Sequence, residues 1–203
     1  MISQIINNAN KIYDEFGYPS IKEEAWRYTS TRNFKKCIQS ASEAEFNSND
    51  IDLSDDFHNI IFYNGQLAFF DIESTEIVIE SYSKLINSPG SSSQFLRVND
   101  LDKNGVVAHN TSNFKNPLHL TIKRNKKINL PIKVTSYTCG LDRGKIVFPR
   151  IYIHAEKNSQ SKIYINSIDG GAECSINSVI EFYLEESAKL DVLQLTSLKH
   201  QES

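Results

Sequence analysis

Thiols, imidazoles and paired carboxylates are the side chains of this 203-residue chain that could do chemistry, and their spacing decides what kind. Three cysteines, Cys37, Cys139 and Cys174, stand far apart with no C-x-x-C pair. An odd number at wide spacing argues against a disulfide framework and matches no cluster-binding motif. They read as small reduced thiols. The five histidines, His58, His109, His119, His154 and His200, include no H-E-x-x-H and no close pair. His119 and His154 occupy similar positions in alternating strand-like runs, so they can lie near one another on neighbouring turns of chain. The plain reading is strand histidines; a metal pair is the alternative. The carboxylate pairs Asp55-Asp56, Glu23-Glu24 and Glu185-Glu186 lie in polar runs. Acid–base work needs two carboxylates in contrasting environments facing one substrate, and these read as solvated faces. The basic run Lys123-Arg124-Asn125-Lys126-Lys127 has no interleaved aromatics for stacking on bases and reads as an exposed turn. Neither Gly140/Gly144 nor Gly170-Gly171 opens a helix in the phosphate-cradling pattern. No catalytic, cofactor-binding or metal-ligating residue is therefore assigned.

The elements that hold these residues change character along the chain. Residues 3–16 place Ile5, Ile6, Ala9, Ile12, Tyr13 and Phe16 on one helical face. Ser3 can cap the start, Gly17 suits a left-handed end, and Pro19 forbids continuation. Ser20 and Glu23 fit a capping box, predicting a second helix over 21–27. Trp26, the single tryptophan, reads as a local anchor on the preceding helix. Residues 38–59 are polar and acidic, loop with short helical pieces. Asn64-Gly65 between apolar runs predicts a β-hairpin. A strand is expected at 76–80 and a flexible loop at 88–93. From residue 117 the pattern is all-β. Short strands alternate with polar turns at 123–127, 155–161 and 185–189. The middle residues of these turns, Asn125, Asn158 and Ser187, step by 33 and then 29. A repeat of about thirty residues fits a β-solenoid, and an antiparallel sandwich is the other reading.

Composition sets the outer limits. Apolar residues make up 39% and charged residues 23%, enough for a core. The length allows one large domain or two small ones. The net charge of -3 gives no global pull toward nucleic acid or an anionic membrane. The charge is uneven: residues 1–105 hold 9 Lys/Arg against 16 Asp/Glu, and residues 106–203 hold 13 against 9. The N-terminus lacks the basic and apolar regions of a signal peptide, and no apolar run reaches the ~20 residues of a membrane span. The expectation is a soluble cytoplasmic protein.

Several segments resemble a known family when taken in order. Gly17, Tyr18, Pro19, Lys22, Glu24, Trp26, Arg27, Tyr28 and Thr29 resemble the N-terminal motif of the SufB/SufD family of iron–sulfur cluster assembly proteins, on the SufD side. Phe62-Tyr63-Asn64-Gly65-Gln66-Leu67 is similar to the family's F-x-N-G-x-L hairpin. Residues 120–134, with Pro131-Ile132, resemble its first β-helix coil. Residues 148–159, from Phe148-Pro149-Arg150 to Asn158-Ser159, and residues 177–195 resemble the coils that follow.

The resemblance implies an N-terminal α+β region with helices and a hairpin over 1–110. It then implies the start of a right-handed parallel β-helix over 111–203, with the later core and a C-terminal helical region beyond. It implies a non-catalytic scaffold that pairs with a SufB-like protein and with the SufC-like ATPase, as a homo- or heterodimer through the β-helix. In that family the complex handles an iron–sulfur cluster, and SufC uses ATP. No cofactor is expected on this stretch, because the implicated residues lie in the later core. For the same reason weak SufC binding is expected. Nucleic acid and membrane are not expected partners. The alternatives are a β-helical carbohydrate-active enzyme and a general interaction module.

Overall fold

The structure, a computed structural model, describes residues 2–39, 53–87, 94–99, 101, 105–170 and 174–197. The chain opens with α1 (Ile2–Phe16), whose Ala9 and Ile12 are buried. Gly17, at φ 60°, closes it through a 2.8 Å bond from its N–H to the Tyr13 carbonyl. Ser3 lies inside the helix rather than capping it, because the helix already begins at Ile2. The helix expected over 21–27 shrinks to a single 3₁₀ turn, Glu24–Trp26. Half of the capping box forms, with the Ser20 N–H donating to Glu23 Oε1 at 2.8 Å. Glu23 itself keeps an extended backbone, and Ile21 and Tyr28 remain 59% and 93% exposed, so no apolar face rewards a longer helix. A second 3₁₀ turn, Phe34–Lys36, precedes the short strand β1 (Ile38–Gln39).

The predicted hairpin is present as β2 (His58–Tyr63) and β3 (Gln66–Asp71). Its two-residue turn has Asn64 at φ 47° and Gly65 at φ 84°, the paired left-handed geometry that Asn-Gly supplies. The strand expected at 76–80 is β4 (Ile77–Ile79). Two helices follow that sequence periodicity does not reveal, α2 (Tyr82–Asn87) and α3 (Gly105–Asn113). Of the loop expected over 38–59, residues 38–39 and 58–59 are instead strand, drawn into parallel pairing with residues 145–146 and 132–133, and 40–52 lie outside the described residues, as does the loop expected at 88–93.

The remaining elements are all strands: β5 (Leu118–Ile122), β6 (Ile132–Thr138), β7 (Lys145–Val147), β8 (Arg150–Ala155), β9 (Gln160–Asp169), β10 (Ser175–Ile176), β11 (Val179–Leu184) and β12 (Lys189–Ser197). The protein is mainly β, and its sheets are rich in parallel pairs. One sheet runs β11-β8-β5-β4, a second β12-β9-β6-β2-β3, and a third β1-β7-β10. Every third strand from β5 onward is thus a hydrogen-bonded neighbour. The pairs β5·β8, β8·β11, β6·β9 and β9·β12 are all parallel, which removes the antiparallel sandwich. The hairpin joins this stack through parallel β2·β6, and β4 joins through antiparallel β4·β5.

Register then fixes the core. Leu118 faces Ile151 and Ile151 faces Ile180; Ile60 faces Val134 and Val134 faces Ile165. These columns point inward and form one apolar cluster. Each fully buried aliphatic side chain there contributes roughly 1.5–3 kcal/mol. A second cluster lies outside the β5–β8–β11 sheet. There Phe95, Leu96, Phe114 and Tyr152 pack with Ile2, Ile5 and Ile6 of α1. The turns between sheets stack as well: Asn125, Asn158 and Ser187 all adopt φ of 58–60°.

Candidate functional site

A buried polar cluster joins the N-terminal segment to the parallel strands. Arg150 opens β8 just after Pro149, and Glu181 lies on the neighbouring β11; both are 1% exposed. Arg150 Nη2 stands 2.8 Å from Glu181 Oε2. Arg150 Nη1 donates to Asn110 Oδ1 at 3.2 Å and to Thr111 Oγ1 at 3.0 Å, both on α3. The Asn99 N–H donates to Glu181 Oε1 at 3.3 Å. Burial lowers the Arg150 pKa, and Glu181 acts against that shift. A charge that deep is tolerated only when paired and hydrogen-bonded.

The network continues through side-chain amides. Asn110 Nδ2 donates to the Pro149 carbonyl at 2.9 Å and the Asn177 carbonyl at 2.7 Å. Asn177 Nδ2 donates to the Val106 carbonyl at 2.9 Å and to the Tyr18 hydroxyl at 3.1 Å. Tyr18 Oη in turn lies 2.7 Å from His109 Nδ1. Burial pushes the His109 pKa down to about 4 and raises that of Tyr18 well above its ordinary value. His109 is therefore neutral and accepts the Tyr18 proton bond, while the Tyr18 oxygen accepts from Asn177. The His109 ring also stacks on Tyr13 of α1, with centroids 3.9 Å apart. Most of these bonds run between the cluster's own side chains and nearby backbone carbonyls, while Arg150 Nε and Asn177 Oδ1 stay buried without a hydrogen-bond partner among the described residues. What they do chemically is hold position: they fix the Gly17-Tyr18 segment and α3 onto β8 and β11.

The other candidates lie apart from this cluster. His119 and His154 are on adjacent strands, yet out of step, since His119 pairs with Tyr152 and Thr121 with His154. Each has its own carboxylate: His119 Nδ1 is 3.5 Å from Glu80 Oε2, and His154 Nε2 is 2.9 Å from Glu185 Oε1. The His119 ring stacks on Tyr152, and burial lowers its pKa to about 4. Glu185 is held below the usual carboxylate range, first by the Lys157 N–H and also by His154. His58 begins β2, and His200 lies outside the described residues. Among the described residues no three His, Cys, Asp or Glu side chains converge as metal ligands.

The thiols are all free. Cys37 Sγ meets the Asn33 carbonyl at 3.1 Å and Ser175 Oγ at 3.3 Å, and Cys139 Sγ meets Tyr63 Oη at 2.9 Å. Burial, then Asp169, pushes the Cys174 thiol up to about 11, so it stays protonated at neutral pH. Asp55, Asp56, Glu23 and Glu24 are exposed. The basic turn is matched by carboxylates: Lys126 Nζ is 2.9 Å from Glu76 Oε1, and the Arg124 N–H donates to Glu156 Oε2 at 2.8 Å. Trp26 is half-buried and stands outside the apolar clusters of the described residues; Tyr18, 4% exposed, is the anchor of that segment.

Sequence reading missed Arg150, Glu181, Asn110 and Asn177 as a unit. The alternation in Arg150-Ile151-Tyr152-Ile153-His154 places Arg150 on the outer face but does not tell that α3 and residues 94–99 cover it. Among the described residues no helix is long and apolar enough to cross a membrane. No family model and no curated protein sequence matches the chain.

Proposed function

We propose that this chain is a SufD-like scaffold of iron–sulfur cluster assembly, and that residues 111–203 are the first coils of a right-handed parallel β-helix. One observation carries the reading. Three pieces of the resembling motifs meet in one buried network: Tyr18 of the N-terminal motif is hydrogen-bonded by Asn177 at the start of the third coil-like segment, 177–195. Arg150, from the second coil-like segment, 148–159, is tied to the same network through Asn110. The steps of 33 and 29 between left-handed turn residues, and the parallel pairing of every third strand, support stacked coils. Crossovers between parallel strands are right-handed almost without exception, which supplies the hand.

In this reading the protein has no catalytic role. It offers a rigid stack to a SufB-like partner and, within that complex, to a SufC-like ATPase that uses ATP while a cluster is built elsewhere. The partners are proteins and the place of work is the cytoplasm. The test is co-expression of this chain with a SufB-like and a SufC-like protein. A stable complex with the SufB-like protein is expected, with the SufC-like protein held weakly. Purification of the chain alone from such co-expression overturns the assignment.

A further inference from the structure

Strands β3 and β4 are the edge strands at the same end of their sheets, before β2 and β5 respectively. Between them lies a mainly apolar cavity of about 410 Å³ lined by Leu67, Phe70, Ile79 and Pro117, with Glu80 and Asn116 also on its wall. Phe70 is half-exposed at its rim. The next residue of the same strand, Asp71, lines a second pocket of about 230 Å³ with Asp55, Phe57, His58, Asn59, Glu73 and Leu130. Asp55, Asp71 and Glu73 are exposed, and among the described residues none of them has an ion-pair partner. His58 is more than nine-tenths buried yet lines this pocket, and its ring has no hydrogen-bond partner among the described residues. Burial lowers its pKa, with Asp71 and Glu73 opposing. The pocket thus combines the acceptor-bearing His58 ring with three carboxylates, and it lies across edge strand β3 from the apolar slot, since Phe70 and Asp71 alternate to opposite faces of that strand. The Lys133 ammonium lies over the ring of Phe57, 5.4 Å from its centroid.

We propose that the β3–β4 end docks a segment of a partner protein that carries apolar residues beside a lysine or arginine. The apolar side chains fill the slot at Leu67, Phe70 and Ile79, and the cation enters the pocket at Asp55, Asp71 and Glu73. Charge decides among occupants. Nucleic acid and anionic lipid are repelled by the carboxylates. A second copy bringing the same end meets like charge. A basic, apolar segment satisfies both pockets, and its guanidinium or ammonium supplies a donor to His58.

The experiment titrates the full chain with two fluorescent peptides, one alternating leucine and lysine, the other leucine and glutamate. The basic peptide binds and the acidic one does not. The double substitution Asp71→Asn/Glu73→Gln, and separately Phe70→Ser, each weaken the basic peptide about tenfold, roughly 1.4 kcal/mol. Glu23→Gln/Glu24→Gln removes equal charge from an exposed site elsewhere and leaves affinity within about twofold. Amide exchange on the unsubstituted chain shows protection at 66–71 when the basic peptide is bound. Absence of basic-peptide binding, an equal loss in the Glu23/Glu24 control, or protection confined to other segments overturns the proposal.

Discussion

Asn158 donates its side-chain amide to Asn125 Oδ1 across 2.9 Å, and both residues hold the left-handed backbone at φ 58°. Asparagine tolerates that conformation at both turns, and the Asn158 amide also bonds the turn stacked beside it. The Asn158 N–H also donates to the Glu186 carbonyl of the following turn at 3.1 Å. Asn158→Ala should therefore lower stability by about 1–2 kcal/mol, the cost of a β-carbon at positive φ plus a lost exposed bond. Asn158→Gly, which keeps the backbone and loses only the ladder bond, should cost less. Urea melts of the two variants side by side check this; equal losses would show that backbone conformation is irrelevant there.

Much of this turn architecture was legible in the sequence. Asn125, Asn158 and Ser187 stood out as small polar residues between alternating apolar runs, and Asn64-Gly65 announced its hairpin. Both signals are local: the φ requirement lies in the residue that shows it. Helix α3 was not legible, because Gly105-Val106-Val107-Ala108-His109-Asn110-Thr111-Ser112-Asn113 is rich in poor helix formers and has a weak apolar stripe. It exists because Ala108 packs on α1 and Asn110 bonds the Pro149 and Asn177 carbonyls just ahead of β8 and β11, contacts between residues far apart in sequence. The Arg150–Glu181 pair was hidden for a related reason. An outward strand position usually meets water, and only the placement of α3 and residues 94–99 seals it.

Breaking that pair should be costly. Glu181→Gln leaves Arg150 charged, buried and without its counter-charge, with an expected loss of about 3–5 kcal/mol. Arg150→Met combined with Glu181→Leu removes both charges and should recover a large part of that loss, even though the Asn110 and Thr111 partners are left unpaired. Chemical denaturation of the single and double variants measures the coupling. A double variant less stable than Glu181→Gln alone would show that the charge pair itself is not what the site requires.

Stability should also fall with acid. His109 and His119 have folded-state pKa values of about 4, below the ordinary 6.5. Between these values the unfolded chain binds protons that the folded chain refuses, so stability rises with pH there. The stabilisation is complete above pH 6.5 and is lost progressively as pH falls toward 4. His119→Phe keeps an aromatic ring against Tyr152 and Phe95, removes one of these protons, and should flatten the profile. Denaturation midpoints measured across this range test the sign, and a profile equally steep in the variant would remove His119 from the account.

Gly105 and Gly17 meet where α3 begins and α1 ends. A β-carbon added at Gly105 would collide with the Gly17 carbonyl group, whereas one at Gly17 would meet open space but sit at positive φ. Gly105→Ala should therefore push the two helices apart and cost more than Gly17→Ala, for which only about 1 kcal/mol of backbone strain is expected. Comparison of melting temperatures settles the order. If Gly17→Ala proves the worse of the two, the close approach of the helices is not the constraint.

Tyr18 and Trp26 divide the N-terminal motif between them, and the structure reverses the weight that sequence gives them. Trp26 is half-buried on a 3₁₀ turn, while Tyr18 is buried among Tyr13, Phe34 and His109. Tyr18→Phe keeps the ring and removes the hydroxyl that bridges His109 Nδ1 and Asn177 Nδ2. Two polar atoms lose a partner in a dry site, and the expected cost is about 1–3 kcal/mol. Trp26→Ala should stay within about 0.5 kcal/mol, as for substitutions away from packed or hydrogen-bonded positions. Amide exchange adds a local readout: Tyr18→Phe should raise exchange at 105–113 and 177–184, the segments the hydroxyl ties together, and Trp26→Ala should leave both unchanged. A large effect of Trp26→Ala on those segments would return the anchoring role to the tryptophan.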